Sequence, residues 1–561
     1  MTHPSNQPRS GARMLVDCLV ANEVRHVFCV PGESYLAVLD ALRDADVAIT
    51  VCRNEAGAAM MAEAVGKATG RPGICFVTRG PGATNASPGV HIARHDSTPM
   101  ILFVGQIERA FRGRDAFQEV DYRAFFGTMT KWVVEIDEAG RVPELISRAF
   151  QTALEGRPGP VVVALPRDML SETQVAGDAR ASRAIETSPG ASDMDSFAKM
   201  LSRARDPILI LGGTRWNQGA LDSVRGFAER FALPVVTSYR RGTLFDALHP
   251  NYAGDLGIGA NPKLIARIKR SDLPILLGGR LGEIPSQGFT LFETPRPRAD
   301  LIHIHADSEE FGRLYQAALS IHASPIGFAR AIDALAPSAP PGWSGEADTA
   351  HADYLAWTET ATPQPGAVNL GEVMTWLRDH TPADVIVCNG AGNYAAWIHR
   401  FFRFRRFNAH IAPTSASMGY GVPAAVAMQR LHPDRLVVSI NGDGDFLMNG
   451  QEFATAVQYG LPIVVIVCDN ASYGTIRMHQ EREFPGRVVA TDLRNPDFAA
   501  YARAFGGVGF TVDRTADFPA AFEAARAAKG PAIIHLKISV EAITPSTSLE
   551  QIKAKALAAA R

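Results

Sequence analysis

Cysteine is scarce in this sequence, and the few cysteines are never closely paired. The 561 residues contain six, at positions 18, 29, 52, 75, 388 and 468, and no C-x-x-C pair occurs. Most of them lie inside apolar runs, such as the V-F-C-V of residues 27–30. This pattern predicts reduced cysteines that are buried as small apolar side chains, rather than cysteines joined in disulfides.

An excess of charge and a long hydrophobic run are also lacking. Lysine and arginine number 56 against 58 acidic residues, so the formal net charge is -2 and no basic field is present to bind nucleic acid. The first 14 residues contain no apolar signal segment, and the clearest apolar strand, residues 461–468, is far shorter than the roughly 20 residues of a membrane span. We therefore expect a cytoplasmic protein that has neither a nucleic-acid nor a membrane partner.

The sequence is rich in short β-branched runs that alternate with segments of helical length. Such runs occur at 26–30, 48–52, 73–78, 100–105, 161–165, 207–213, 233–238, 273–279, 385–389, 462–468 and 532–538. Continuous apolar strands of this kind are typical of parallel sheets that are covered on both faces. The fold class predicted is α/β, with three doubly wound parallel-sheet domains at residues 1–180, 190–340 and 360–545, followed by a helix-like tail at 546–561.

The third predicted domain contains the most informative motif. A Gly-Asp-Gly sequence at residues 442–444 follows a predicted strand, and Asn470 follows the next buried strand. Because the carboxyl ends of parallel strands meet at one edge of a sheet, Asp443 and Asn470 are expected side by side, with hard oxygen atoms suited to Mg²⁺. Gly444 and Gly474 allow backbone N–H groups to approach phosphate oxygens. These residues indicate a site for a metal and a diphosphate.

This arrangement resembles the signature of the thiamin diphosphate (ThDP) enzyme family, in which Gly-Asp-Gly precedes an Asn-containing turn by some 25 to 30 residues. The resemblance continues in the phrases VPGESYLAVLDAL, RNEAGAAMMAEA, TRGPGATNA, RGRDAFQEVD and SASMGYGVPAA, and covers about residues 12–540. It is strongest toward the acetolactate synthase catalytic subunit and acetolactate synthase-like proteins. It implies a pyrimidine-binding, a central and a diphosphate-binding domain, in that order, with ThDP and Mg²⁺ as cofactors.

The resemblance implies a set of cofactor-binding residues. The metal ligands would be Asp443, Asn470 and the backbone carbonyl of Ser472. Met418 would hold the two rings of the cofactor in a bent form, and the carbonyl of Ala416 would accept a hydrogen bond from its 4′-amino group. The cofactor-binding residues implied are Pro31, Glu55, Pro81, Asn85, Gly392, Asn393, Tyr394, Ala416, Met418, Gly442, Gly444, Asp445, Tyr473, Gly474 and Thr475.

Glu55 is the predicted catalytic acid. It follows the strand at 48–52 and begins an Ala-rich segment of helical pattern. A carboxyl group that is hydrogen-bonded to the pyrimidine of ThDP promotes the imino form, which removes the C2 proton. The structural alternative is an acidic residue that complements the dipole at the start of a helix. The order of the motifs along the chain favours the catalytic role.

The residues on the substrate side leave more alternatives open. Phe117 and Gln118 resemble the family's substrate-side pair, and Gln118 would hydrogen-bond the reacting oxygen unless it is an ordinary solvated side chain. Lys131 and Arg280 match family positions near the second substrate, although a surface lysine and a loop arginine are comparable alternatives. His479 lies where typical acetolactate synthases have a tryptophan that selects the incoming keto acid. It is predicted as a general acid or base, or as a polar residue on a helix.

The resemblance implies ThDP- and Mg²⁺-dependent decarboxylation of a 2-keto acid, with ligation of the remaining fragment to a second carbonyl compound. No adjacent pair of histidines occurs near 91–97, where simple pyruvate decarboxylases have one, which disfavours a dedicated decarboxylase. The alternatives within enzymes are a ThDP lyase or decarboxylase of another substrate class (2-hydroxyacyl-CoA, oxalyl-CoA or an aromatic 2-keto acid) and a flavin-linked oxidase. A structural relative without cofactor is the non-enzyme alternative.

Two further features follow from the resemblance. The sequence leaves open whether the central domain holds FAD, ADP or nothing. In this family the pyrimidine end of the cofactor is held by one subunit and the diphosphate end by another. We therefore expect a homodimer or homotetramer in which Glu55 and Asp443 meet across the subunit interface.

Overall fold

The computed structural model describes residues 7–559, and these residues form two compact units. Unit 1 comprises residues 7–185, 426–431 and 449–459. Unit 2 comprises residues 186–425, 432–448 and 460–559. Two short segments from the last third of the chain thus pack with the first third. The boundaries of the three predicted domains stay a prediction.

Unit 1 contains a six-stranded parallel sheet with the strand order β3-β2-β4-β5-β7-β6. The strands before residue 186 are β1 (Arg9–Ser10), β2 (His26–Cys29), β3 (Ala48–Val51), β4 (Gly73–Val77), β5 (Met100–Gln106), β6 (Trp132–Glu135), β7 (Pro160–Pro166) and β8 (Thr173–Gln174). The helices there are α1 (Gly11–Ala21), α2 (Leu36–Arg43), α3 (Glu55–Thr69), α4 (Pro81–Asp96), α5 (Tyr122–Phe126), α6 (Val142–Leu154) and α7 (Arg167–Ser171). The short strands β1 and β8 pair separately and antiparallel.

The first sheet of unit 2 is also parallel and six-stranded, in the order β11-β10-β9-β12-β13-β14. Its strands are β9 (Pro207–Leu211), β10 (Val235–Ser238), β11 (Tyr252–Leu256), β12 (Leu273–Leu277), β13 (Ile302–His305) and β14 (Leu319–His322). The helices in this part of the chain are α8 (Ala191–Arg203), α9 (Gln218–Arg230), α10 (Pro262–Arg270), α11 (Pro325–Ile332) and α12 (Glu346–Thr358).

The third sheet has the order β16-β15-β17-β18-β20-β19 and is parallel throughout. Its strands are β15 (Ile386–Asn389), β16 (His410–Ile411), β17 (Val437–Gly442), β18 (Val464–Asp469), β19 (Val508–Val512) and β20 (Ala532–Lys537). The helices are α13 (Leu370–His380), α14 (Ala395–Phe401), α15 (Gly421–Leu431), α16 (Asp443–Asn449), α17 (Phe453–Gln458), α18 (Gly474–Glu483), α19 (Phe498–Ala504), α20 (Phe518–Arg526) and α21 (Leu549–Ala559). Three parallel α/β sheets confirm the predicted fold class.

Helices α3 and α4 of unit 1 pack closely through small residues. Helix α3 follows Asn54, whose side chain accepts a hydrogen bond from the backbone N–H of Ala56 and so satisfies one free donor of the first turn. A Cβ on Gly89 of α4 would lie 2.5 Å from the Cβ of Ala59 in α3. Glycine therefore allows the two helix backbones to approach, and this packing fixes the helix that Glu55 begins.

The structure bears on two features expected from composition, the state of the cysteines and the presence of membrane-spanning helices. All six cysteines are buried and none is joined in a disulfide, as predicted, and burial raises the pKa of the Cys29 thiol to about 11. Within residues 7–559, every helix is too short or too polar to cross a lipid bilayer.

Candidate active site

The Gly-Asp-Gly motif lies at the junction of a strand and a helix in unit 2. Strand β17 ends at Gly442, which is in register with Cys468 of the neighbouring strand β18, and helix α16 begins at Asp443. Strand β18 ends immediately before Asn470. Adjacent parallel strands thus bring both predicted metal ligands to one edge of the sheet, as the sequence predicted. The backbone N–H of Ser472 donates to Asp443 across 3.3 Å, which ties the two loops together.

Asp443 is a buried carboxyl group that accepts hydrogen bonds from neutral donors and lies beside the carboxyl group of Asp469. Its oxygens accept hydrogen bonds from the backbone N–H of Gly444 (2.9 Å) and from the side-chain amide of Asn495 (2.8 Å). Only 3% of the residue is exposed, and burial raises the pKa of Asp443 to about 6. Among residues 7–559, no lysine or arginine forms an ion pair with it. Asn495 also donates to Asp469 at 2.7 Å, a connection that the sequence analysis did not find.

These surroundings fit a bound Mg²⁺ ion. A buried carboxylate without a cationic partner is costly, and a cation beside it would remove that cost. Within the described part of the chain there is no cluster of three histidine, cysteine or acidic side chains that could hold a metal. A metal here would therefore need amide and carbonyl oxygens, such as those of Asn470 and Ser472, together with phosphate and water, which is the coordination that Mg²⁺ accepts.

Asp445, two residues after Asp443 in the sequence, is also buried, and its side chain is held by hydrogen bonds within the protein. It accepts hydrogen bonds from the backbone N–H of Gly419 at 2.6 Å and from the hydroxyl of Tyr394. A Cβ on Gly390 would lie only 2.3 Å from Oδ1 of Asp445, so the close approach of the Gly390 backbone to this carboxyl group requires glycine. Burial raises the pKa of Asp445 to about 6. Tyr394, a predicted cofactor-binding residue, thus uses its hydroxyl to hold Asp445.

Asn393, another predicted cofactor-binding residue, has its side-chain amide occupied. Its Nδ2 donates to the carbonyl of Ile543 at 2.8 Å, and its Oδ1 accepts from the hydroxyl of Thr475 at 2.9 Å. Asn393 therefore links the loop after β15 to the start of helix α18 and to the segment after β20. In this structure, any contact of Asn393 with phosphate would have to use its backbone N–H.

The predicted residues of unit 2 converge on one cavity of about 880 Å³. Every cofactor or metal residue predicted in that unit lines it: Gly392, Asn393, Tyr394, Ala416, Met418, Gly442, Asp443, Gly444, Asp445, Asn470, Ser472, Tyr473, Gly474 and Thr475. Ala416 has a φ of 52°, a strained conformation for a residue with a side chain. Such strain is typical of functional sites, where it is maintained by the surrounding structure. The cavity supplies the concave, partly polar enclosure that a cofactor needs.

His479 does not reach this cavity. Gly474, Met478 and Arg482 line it and are four residues apart, so they form one face of helix α18. His479 lies off that face and is exposed. Among residues 7–559, no contact of His479 supports the predicted acid or base role, which stays a prediction.

Unit 1 contains the predicted catalytic acid. Glu55 is the first residue of α3, is half-buried, and accepts a hydrogen bond from the side-chain amide of Asn85 at 3.1 Å. The preceding turn is held by Glu452, whose Oε1 accepts from the backbone N–H groups of Arg53 (3.0 Å) and Asn54 (2.9 Å). Glu452 is buried, and burial raises its pKa. Nothing in the local sequence around Glu452 indicates partners some 400 residues away, so this residue was not predicted.

The other predicted residues of unit 1 are exposed or partly buried. Pro31, Pro81 and Phe117 are exposed, and Phe117 is 74% exposed. Gln118 is partly buried, with a φ of 63°, and packs against Gly80. Lys131 donates through its Nζ to the carbonyl of Glu155, a contact that favours a structural role for this lysine.

Comparisons with known proteins agree with the predicted cofactor. Three family models match the chain: the N-terminal TPP binding domain of thiamine pyrophosphate enzymes over residues 9–125, their central domain over 194–332 and their C-terminal TPP binding domain over 390–536. Thiamine pyrophosphate (TPP) and ThDP are the same compound.

Individual relatives resemble the chain over nearly its whole length. The acetolactate synthase isozyme 2 large subunit of Escherichia coli (strain K12) is 31% identical over 94% of this chain and 95% of its own length. The acetolactate synthase of Bacillus subtilis (strain 168) is 30% identical, over 94% of this chain and 93% of its own. The acetolactate synthase large subunit of Parasynechococcus marenigrum is 32% identical, over 91% and 84%. The chain therefore belongs to the family of thiamine pyrophosphate enzymes.

Proposed function

We propose that this ThDP enzyme uses Mg²⁺, decarboxylates a 2-keto acid and joins the remaining fragment to a second carbonyl compound. The observation that carries the proposal is the convergence of all the cofactor and metal residues predicted in unit 2 on one cavity of about 880 Å³. Similarity to proteins named acetolactate synthase supports carboligation over simple decarboxylation.

In this proposal the residues of unit 2 hold the diphosphate end of the cofactor. Asp443, Asn470 and the carbonyl of Ser472 would bind Mg²⁺, and the backbone N–H of Thr475, at the start of α18, would face the phosphate oxygens. Met418 would lie against the cofactor rings. When bound, ThDP supplies a nucleophilic carbon and an electron sink for the bond that loses carbon dioxide.

The residues of unit 1 would act on protons and on the substrate. Glu55 would share a proton with the pyrimidine nitrogen, while the amide of Asn85 fixes the carboxyl group's orientation. Glu452 supports this arrangement by holding the turn before α3. Gln118 would donate a hydrogen bond to the reacting oxygen of the substrate. In a homodimer or homotetramer, Glu55 of one subunit would serve the same site as Asp443 of another.

The direct test is product analysis. The purified protein is incubated with ThDP, Mg²⁺ and a panel of 2-keto acids led by pyruvate, while carbon dioxide is measured and products are identified by mass. We expect carbon dioxide together with acetolactate or another 2-hydroxy ketone, and neither from the Glu55→Gln variant. Free aldehyde as the sole product would contradict carboligation. No carbon dioxide from any 2-keto acid, although ThDP is bound, would contradict the substrate class.

A further inference from the structure

The cavity of unit 2 is lined by more than the predicted cofactor residues. Arg400 of helix α14, Arg482 of α18 and Lys555 of α21 also line it, and we call these three residues the cationic wall. None of them belongs to the set predicted to bind the cofactor or the metal. Arg482 follows Gly474 by eight residues, about 12 Å along the helix axis, so it lies well beyond the turn that carries Ser472.

Arg400 is a half-buried cation without an anionic partner. Its guanidinium lies 3.7 Å from the centroid of the Trp357 ring, and its Nε donates to the carbonyl of Trp357 at 3.2 Å. No acidic side chain among residues 7–559 pairs with it, and burial lowers the pKa of Arg400. Burying a charge is costly unless an opposite charge is supplied. The Trp357 contacts fix the guanidinium plane and leave its terminal N–H groups available for an anion.

Lys555 lies on helix α21, whose position is fixed by hydrogen bonds at its start and by a buried leucine. Ser548 and Gln551 form a capping box at the start of α21: the N–H of Gln551 donates to Ser548 Oγ at 3.2 Å, and the N–H of Ser548 donates to Gln551 Oε1 at 3.0 Å. Leu549 is buried in a cluster with Met478 and Ile543. Gln551 and Lys555 are four residues apart and both line the cavity, so one face of this helix is turned toward it.

The acidic side chains that line the cavity do not neutralise the cationic wall. They are Asp443 and Asp445, and they accept hydrogen bonds from Gly444, Ser472, Asn495, Gly419 and Tyr394. Apolar side chains such as Ile258 and Ile552 line the cavity as well. Arg240 is a fourth cation of the lining, but its guanidinium donates to the backbone carbonyls of Pro413 and Gly390. The cavity thus combines an apolar lining with the cationic wall, which fits a ligand that has an apolar chain and an anionic end.

We infer that the cationic wall binds a distal anionic group of the substrate. The substrate class would be carbonyl compounds in which a carboxylate or phosphate is separated from the reacting carbonyl by a short apolar chain. This inference rests on the proposed function, because it assumes that the reacting carbonyl lies in the same cavity. Hydrogen bonds between charged groups contribute enough free energy to change a Kd by about tenfold or more.

The test uses unreactive probes, so that binding is separated from turnover. Glutarate, adipate and pimelate are titrated into the ThDP- and Mg²⁺-loaded protein by calorimetry, each beside the monocarboxylate of equal chain length, with 4-phosphonobutanoate in parallel. We expect at least one doubly anionic probe to bind about tenfold more tightly than its monocarboxylate. Equal binding within every pair would overturn the inference. Preference for the phosphonate or for a dicarboxylate identifies the anionic group, and either preference supports it.

Variants locate the site. Arg400→Gln and Lys555→Gln should each reduce the preference for the doubly anionic probe several-fold, and Lys553→Gln, on the same helix but outside the cavity lining, should leave it unchanged. Lys555 is exposed, so its variant tests the inference even where Arg400→Gln fails to fold. An unchanged preference in Lys555→Gln and in folded Arg400→Gln would overturn the inference, and so would a loss of ThDP binding in place of a loss of preference.

The same data separate this inference from the proposed function. If a 2-keto acid is decarboxylated while no doubly anionic probe is preferred, the inference fails and the proposed function stands. If no 2-keto acid is decarboxylated while the preference depends on Arg400, the anion site stands and the proposed function fails.

Discussion

Asp443 and Glu55 are the two carboxyl groups on which the proposed chemistry depends, and their surroundings differ. Asp443 is buried among neutral hydrogen-bond donors, which suits a ligand for a cation. Glu55 is half-buried and is oriented by Asn85. The first would therefore bind charge, whereas the second would hold and release a proton.

Replacing Glu55 by glutamine tests its role as the acid. Gln has a similar shape but cannot exchange a proton, so Glu55→Gln should leave ThDP binding largely intact and slow the exchange of the cofactor's C2 proton by about a hundredfold or more. The exchange rate is measured by proton NMR after acid quenching. Glu23→Gln, which alters an exposed carboxylate of the same unit, serves as the control. Unchanged exchange in Glu55→Gln would remove Glu55 from the mechanism.

Asp255 of strand β11 makes a separate prediction about stability and pH. Burial raises the pKa of this carboxyl from its usual 3.8 to about 7. Between these values the folded protein holds a proton that the unfolded chain releases, so Asp255 makes stability fall as the pH rises through that range. Ionisable residues that line a small cavity with it are Arg240, Tyr252, Tyr354, His399 and His410.

Asp255→Asn removes this loss of stability. The difference in melting temperature between the variant and the wild type (variant minus wild type) should therefore be larger at pH 8 than at pH 5. Thermal unfolding at the two pH values measures the difference. The same relative melting temperature at both values would show that Asp255 ionises normally in the folded protein.

At the level of single residues, the sequence predicts side chains that belong to a local motif. It does not predict hydrogen-bond partners that come from distant segments of the chain. Asp443 and Asn470 were predicted because each directly follows a buried strand. Glu452 was missed because its partners, the N–H groups of Arg53 and Asn54, come from the other end of the chain. The hydroxyl contact of Tyr394 with Asp445 was missed for the same reason.

At the scale of elements, the close packing of α3 against α4 decides the position of Glu55. Helix propensity alone predicts that Gly89→Ala would stabilise α4 by up to about 1 kcal/mol. The predicted clash with Ala59 reverses the sign, and we expect a loss of about 1 to 3 kcal/mol. Gly219→Ala in α9 is the matched control, because its new Cβ would have only one neighbour within 4 Å, at 3.6 Å, and should be neutral or stabilising. Denaturant unfolding measures both, and stabilisation by Gly89→Ala would contradict the close packing.

The success of the strand predictions also has a physical basis. Central strands such as β5 and β18 are buried almost throughout, so they appear in the sequence as continuous apolar runs. The edge strands β6 and β19 are partly exposed and were not predicted, because a half-exposed strand lacks such a run. The packing of residues 426–431 and 449–459 with the first third of the chain has no local signal at all.

At the scale of the whole molecule, the predicted acid and the predicted metal site belong to different compact units. If one subunit supplies Glu55 and another supplies Asp443 to each site, two inactive variants should complement each other. In a dimer, mixing and re-associating Glu55→Gln and Asp443→Ala would make about half of the dimers mixed, with one intact site of two, and so restore about a quarter of wild-type activity. Carbon dioxide release measures it. No recovery, although mixed dimers form, would contradict a shared site.

The cavity of unit 2 would bind ThDP through a metal ion held by Asp443, and the retention of ThDP by variants of Asp443 is the measurement that decides this. The wild type, Asp443→Ala and the control Asp513→Asn, which alters an exposed carboxylate of the same unit, are loaded with ThDP and Mg²⁺ and passed through gel filtration. We expect the wild type and the control to retain ThDP and to lose it when Mg²⁺ is chelated, whereas folded Asp443→Ala should retain none. Normal retention by Asp443→Ala, or retention by the wild type without Mg²⁺, would contradict the account.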